Sequence, residues 1–312
     1  MYNIILSFGI IIIAGIIFRR LRIGEIDADT MRAAINVSVI NIFLPALCIK
    51  TIYISEFDTE TFLIPVAAWI TTVSTLLIAI FIYSLLDRWR RLPSQTKGVL
   101  IISATFGNVT YLGLPVITGL FGSEAAKYAL FYDLLATTPI LWLIGAPLAS
   151  KYGKGENLKL RESLKGILNL PPIWGIIFGF GLKYMDIQLP FFILKTLEML
   201  GDIVIPLMVF SIGLALTIPK VQGIYTIIPA IIIKFFISPF IAYFTAYYLG
   251  IRGNALASCA IEGAMPTMIL SILIASRFGL HVSLSAFIIV ITTILSFIIL
   301  PVIVYTTKLL IN

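Results

Sequence analysis

Charge is scarce in this sequence. Only 12% of its 312 residues are Asp, Glu, Lys or Arg, against 60% hydrophobic. A water-soluble domain of this length needs far more polar side chains to cover its surface. Histidine occurs once, as His281, and cysteine twice, as Cys48 and Cys259. The lack of clustered Cys and His argues against a zinc site. Both cysteines fall inside apolar stretches, where they act as small hydrophobes. An HExxH helix, a Ser/His pair and repeated aspartate-rich metal motifs are also missing. That argues against a membrane-embedded protease or lipid transferase: the chain reads as no enzyme, with no organic cofactor.

What the sequence does have is apolar blocks of about the length needed to cross ~30 Å of hydrocarbon. Ten spans are expected, at 2–18, 30–54, 62–86, 97–121, 124–149, 167–185, 190–218, 222–249, 254–278 and 282–307. Net charge is +7, but the basic residues sit in short interhelical loops and read as topology signals rather than a nucleic-acid surface. Arg19, Arg20, Arg22 and Arg32 join spans 1 and 2; Arg88, Arg90, Arg91 and Lys97 join 3 and 4; Lys151, Lys154, Lys159, Arg161 and Lys165 join 5 and 6. The loop after span 2 instead carries Glu56, Asp58 and Glu60. The three basic loops, the 5–6 loop among them, are therefore assigned to the cytoplasm and both termini to the outside of a plasma or inner membrane. The asymmetry is weaker later, where Lys220 and Arg277 stand against Lys183 and Arg252. No basic residue precedes the first apolar run and three arginines follow it, which favours an uncleaved first helix over a signal peptide.

The two halves echo each other. GIIF occurs at 15–18 and again at 175–178, Pro45 is matched by Pro206, Ile64-Pro65 by Ile228-Pro229, and Thr137-Thr138 with Pro147 by Thr292-Thr293 with Pro301. The matches run in order at offsets between 154 and 164 residues. This supports a duplication of five spans: residues 1–149, a basic linker at 150–166, and 167–312. Five is odd, so the second copy enters the membrane inverted, a construction common among secondary transporters.

The fourth span of each copy is unusual. Residues 106–122 read FGNVTYLGLPVITGLFG, and residues 259–269 read CAIEGAMPTMI. Each places a polar residue a few positions before a proline, Asn108 before Pro115 and Glu262 before Pro266. Proline removes a backbone donor and clashes with the preceding turn, while glycine lets the chain unwind. Exposed backbone at bilayer depth is tolerated only when buried in protein or lining a watery cavity. Two such breaks would offer half-helix N-termini to an anion and C-terminal carbonyls to a cation. The candidate solute-binding residues are Asn108, Thr110, Gly113, Pro115, Gly263 and Pro266.

FGNVTYLGLPV has the pattern Asn-x4-Gly-[Leu/Ile]-Pro, and with AMP in the ninth span and RFGLH at 277–281 it resembles the auxin efflux carrier family. That family includes plant PIN proteins and bacterial permeases for small dicarboxylates. The resemblance covers essentially the whole chain. It implies a fold shared with bile acid–sodium symporters: spans 1, 2, 6 and 7 as scaffold, and spans 3–5 and 8–10 as a transport domain that crosses at Pro115 and Pro266. It implies that Asn108 helps hold a substrate carboxylate, that Glu262 serves sodium, and it allows a homodimer. The chain lacks the long cytoplasmic loop of the plant members, which argues against auxin.

Ionisable residues at membrane depth are functional candidates by default. Glu262 suits Na⁺, a hard cation that prefers oxygen, or it can carry a proton. Asp133, with Thr137 one turn on and Thr138 beside it, could complete a cation site with Asn108 and Glu262. Asp202 and Lys234 fall at similar depth and form a candidate charge pair, with Lys234 alternatively a counter-charge for an anion; Lys50 is expected to snorkel. The expected function is a secondary transporter for a small organic anion, a mono- or dicarboxylate. The alternatives are a sodium-coupled symporter for a larger organic anion and a passive channel or uniporter. The expected partners are that anion and the bilayer, with no nucleic acid.

Overall fold

The structure, a computed structural model, describes residues 2–21, 26–153, 158–216 and 224–311. Arg22, Lys154 and Lys220 of the topology reading, and the middle of the linker, lie outside the described residues. All regular elements among the described residues are helical. They are α1 (Tyr2–Leu21), α2 (Ala28–Ile54), α3 (Thr59–Arg90), α4 (Ser94–Thr105), α5 (Val109–Phe121), α6 (Ser123–Tyr152) and α7 (Leu160–Leu168). There follow α8 (Pro171–Tyr184), α9 (Phe191–Ala215), α10 (Tyr225–Tyr248), α11 (Gly253–Gly263), α12 (Leu270–Phe278) and α13 (Val282–Ile311).

By length and composition, α2, α3, α6, α9, α10 and α13 can each cross a membrane, with α7 and α8 together a further bent candidate. The chain is an integral membrane protein. The expected fourth and ninth spans are each two shorter helices, α4 with α5 and α11 with α12.

Proline writes the local irregularity. Five π-helical turns occur among the described residues, at Val39–Phe43, Val109–Gly113, Asp133–Thr137, Leu141–Gly145 and Ile233–Ile237. Each ends two residues before a proline: Pro45, Pro115, Pro139, Pro147 and Pro239. A proline has no N–H for the carbonyl four residues back and its ring crowds that carbonyl. Widening the preceding turn relieves the clash and keeps the helix continuous. The carbonyl left over needs another donor. For Pro139 that carbonyl is Leu135 O, and the indole Nε1 of Trp69 on α3 donates to it at 2.9 Å.

The chain divides into two compact units. Unit 1 comprises Met1–Glu56, Thr110–Leu130 and Leu168–Thr217. In it α1 packs on the second half of α9, and α2 packs on α8 and on the first half of α9. The α1–α9 pair approaches backbone to backbone at Gly15 and Gly213, where a Cβ on Gly15 would fall 2.5 Å from Phe210 O. Arg19 ties the end of that pair, with Nη1 on Leu214 O at 2.6 Å and on Asp29 Oδ1 at 2.9 Å.

Unit 2 comprises Phe57–Val109, Phe131–Ile167 and Ile218–Asn312. Here α3 packs on α4, α6 and α10, while α11 packs between α10 and α13. Its core gathers Leu100, Ile101, Phe106, Ile140, Phe287 and Ile288, all buried. Tyr83 is buried with them, and its hydroxyl donates to Thr226 O at 3.1 Å.

Candidate functional site

Both helix breaks lie in unit 2, and they meet. The first is Phe106–Asn108, between α4 and α5; the second is Ala264–Ile269, between α11 and α12. They pair as a short antiparallel bridge centred on Gly107 and Thr267. Asn108 N donates to Pro266 O at 2.7 Å and Met268 N donates to Phe106 O at 3.0 Å. Each break thus supplies the backbone partners the other lost on leaving the helix, which is how unwound chain survives at membrane depth. Thr267 adds two more ties: its Oγ1 donates to Ser103 O at 2.8 Å, and its N donates to Thr292 Oγ1 on α13 at 3.2 Å.

Gly107 eases this approach. A Cβ there would lie 3.3 Å from both Cβ and O of Met265 and 3.4 Å from Lys234 Nζ. Lys234 stands on the π-helical turn of α10, 1% exposed, and its Nζ donates to Thr105 O at 2.7 Å. An ammonium on the final carbonyl of α4 complements the negative end of that helix. It also puts a buried hydrogen-bond donor at the crossover.

Glu262, in the last turn of α11, is 2% exposed, and neither of its carboxylate oxygens has a hydrogen-bond partner. The amide Nδ2 of Asn108, 3% exposed, has none either. Buried polar groups are otherwise almost always paired. Asp133, Tyr132 and Cys259 lie within electrostatic reach of Glu262. Among the described residues no group of three or more His, Cys, Asp or Glu side chains comes together as a metal site. A cation at Glu262 would therefore draw further ligands from hydroxyl and carbonyl oxygens, which suits Na⁺ better than a transition metal.

Other candidate positions differ in place from the sequence reading. The first break falls at Phe106–Asn108, ahead of Pro115, which is buried inside α5 two residues past its N-terminal π-helical turn. Gly113 is also helical, and Thr110, Gly113 and Pro115 belong to unit 1. Gly263 serves packing: a Cβ there would meet Ala242 Cβ at 2.7 Å and Pro239 Cα at 3.1 Å on α10. Thr138, rather than Thr137, bonds Asp133, with Oγ1 on Oδ1 at 2.8 Å, because the π-helical turn brings residue i+5 into line. Thr137 Oγ1 instead donates to Tyr132 O at 3.2 Å.

The proposed Asp202–Lys234 pair is replaced by separate partners. Asp202 pairs with Lys50 at 3.5 Å, so Lys50 does not simply snorkel, and Lys234 has Thr105 O. The sequence reading missed Thr105, Gly107 and Thr267. Gly107 was legible as a glycine beside Asn108; nothing marked Thr105 or Thr267.

The sequence model of a family described as membrane transport protein matches residues 5–304. The chain is similar to an uncharacterized transporter of Methanothermobacter thermautotrophicus, 31% identical over 304 residues, covering 95% of each chain. It is also similar to an uncharacterized transporter of Methanocaldococcus jannaschii, 32% identical over 234 residues, covering 72% of this chain and 73% of the relative.

Proposed function

Because the chain belongs to the membrane transport protein family, of the auxin efflux carrier, PIN-like type, we propose that it moves a small organic anion, a mono- or dicarboxylate, by alternating access. It is a membrane transporter by family, and the observation that carries the finer reading is the crossover itself. Two helix breaks bridge at Gly107 and Thr267, with the Nδ2 of Asn108 and both Glu262 oxygens buried and unpaired beside them in sequence. The amide of Asn108 is a donor suited to a carboxylate, and Lys234 places a buried amine next to Gly107. Glu262 would hold the coupling ion, Na⁺ or H⁺, with Asp133 and Thr138 as supporting oxygens. An acceptor-only group without donors inside a protein is expensive unless it binds a cation or a proton.

The architecture that goes with this reading is ten spans in two inverted sets of five, 1–149 and 167–312, joined by the cytoplasmic linker 150–166 with both termini outside. The unit that contains both breaks is the one proposed to carry the solute. Chemistry on the solute is not involved, in keeping with relatives that are transporters.

A thermal-shift screen of the purified protein against small carboxylates, each with and without sodium, tests the reading. Stabilisation by at least one carboxylate, altered by sodium or by pH, is expected. No stabilisation by any of them would remove the anion assignment.

A further inference from the structure

A cavity of about 310 Å³ lies wholly within unit 1. Its wall includes Lys50, Thr51 and Ser55 at the end of α2, Glu124 at the start of α6, and Asp202 and Pro206 on α9. That volume is at the lower end of the roughly 300–1,000 Å³ typical of small-molecule pockets. Three features set it apart from a packing defect. Ser55 is 4% exposed, lines the cavity, and its hydroxyl has no hydrogen-bond partner. Lys50 is largely enclosed, its side chain 16% exposed, yet its ion pair with Asp202 is long, at 3.5 Å. Asp202 is the loose member, with its side chain 67% exposed.

We propose that this cavity is a second carboxylate subsite, in which Lys50 exchanges Asp202 for the carboxylate of the transported anion. The inference deepens the proposed function and rests on it. Charge-assisted N–H···O bonds are ordinarily about 2.7–2.9 Å, so the Lys50–Asp202 contact leaves room for a better acceptor. Asp202 can turn into water at little cost, whereas the ammonium of Lys50 stays in the cavity. A ligand carboxylate placed there accepts from Lys50. Two further lysines face the same end of α2: Lys183 Nζ donates to Ser55 O and Lys127 Nζ to Glu56 O, both at 2.6 Å. Among the lining side chains Lys50 stands against Glu124 and Asp202, and once Asp202 has turned out the balance there is Lys50 against Glu124.

The two members of the pair then have opposite effects on binding, which a merely structural ion pair does not produce. Succinate and benzoate are each titrated calorimetrically into the purified full chain at fixed ionic strength. Lys50→Gln is expected to weaken binding of at least one of them about tenfold, the scale of a lost hydrogen bond to a charged group. Lys50→Arg should retain it. Asp202→Asn, which removes the competitor, should tighten binding roughly threefold, and the double variant should match Lys50→Gln. Equal weakening by both single variants, or wild-type affinity in Lys50→Gln, would overturn the subsite. Should Lys50→Gln fail to elute as a folded species, Asp202→Asn and Lys50→Arg decide alone. Binding lost in Asn108→Ala but unchanged in Lys50→Gln removes only this subsite. No binding of either anion to the wild type removes it together with the reading it rests on.

Discussion

The backbone N of Asn108 donates to the carbonyl of Pro266 at 2.7 Å, joining two helix breaks 158 residues apart in sequence. Unwound backbone in a membrane protein has to be paired or wetted, and here each break pairs the other. Beside that pairing, Nδ2 of Asn108 and both carboxylate oxygens of Glu262 have no hydrogen-bond partner.

Gly107 is where the crossover leaves little room for a side chain. Gly107→Val pushes methyl groups into Met265 and Lys234, contacts already 3.3–3.4 Å from a bare Cβ. A loss of about 1–3 kcal/mol is expected from overpacking, read as a lower melting temperature with little or no residual carboxylate binding. A variant as stable and as tight-binding as the wild type would contradict the geometry.

Lys234→Met removes a buried amine and a helix-capping donor together. The desolvation of the ammonium and the lost bond to Thr105 O oppose each other in stability, so melting should shift by only a few degrees. Carboxylate affinity is expected to fall about tenfold if the charge attracts the anion. Unchanged affinity would make Lys234 a cap and nothing more.

Trp69 substitutes for the N–H that Pro139 lacks. Trp69→Phe should cost about 1–2 kcal/mol by stranding Leu135 O. Pro139→Ala restores an N–H in register, so Trp69→Phe should cost less in that background, a coupling that a double-mutant cycle of melting experiments measures. Additive effects would show that the indole bond does not compensate the proline.

At the start of α2, Asp27 accepts from the backbone of Asp29 at 2.9 Å and of Thr30 at 3.0 Å. The Thr30 hydroxyl and N–H hold its carboxyl below the usual 3.8. A folded-state value below the unfolded one means the cap stabilises above that pH and is lost as pH falls through the lower value. Asp27→Ala should therefore melt earlier than wild type at pH 7, and the gap should narrow as pH falls below 3.8. A gap that is independent of pH would rule out the charged cap.

How much of this was legible in the sequence follows the physics of each feature. Long apolar blocks announced membrane helices because bilayer thickness fixes their length. Asn108 with nearby glycine and Pro266 with Glu262 announced the breaks, since few residues tolerate unwinding at depth. The place of the first break was not legible from Pro115: a proline can be absorbed by a wide turn, and the break begins nine residues earlier, at Phe106. The same wide turn at Asp133–Thr137 moved the Asp133 partner from a helical repeat to Thr138. Long-range partners were beyond periodicity altogether. Lys234 finds Thr105 across 129 residues, and Asp202 finds Lys50; depth alone had suggested pairing Asp202 with Lys234.

The most direct test is calorimetric titration of the best-stabilising carboxylate into wild type, Asn108→Ala and Glu262→Gln, with sodium and pH varied in turn. Asn108→Ala should fold with carboxylate affinity well below wild type, while Glu262→Gln should bind with no dependence on either cation. Wild-type affinity in Asn108→Ala, or undiminished cation dependence in Glu262→Gln, would contradict the crossover as the place where solute and ion are held.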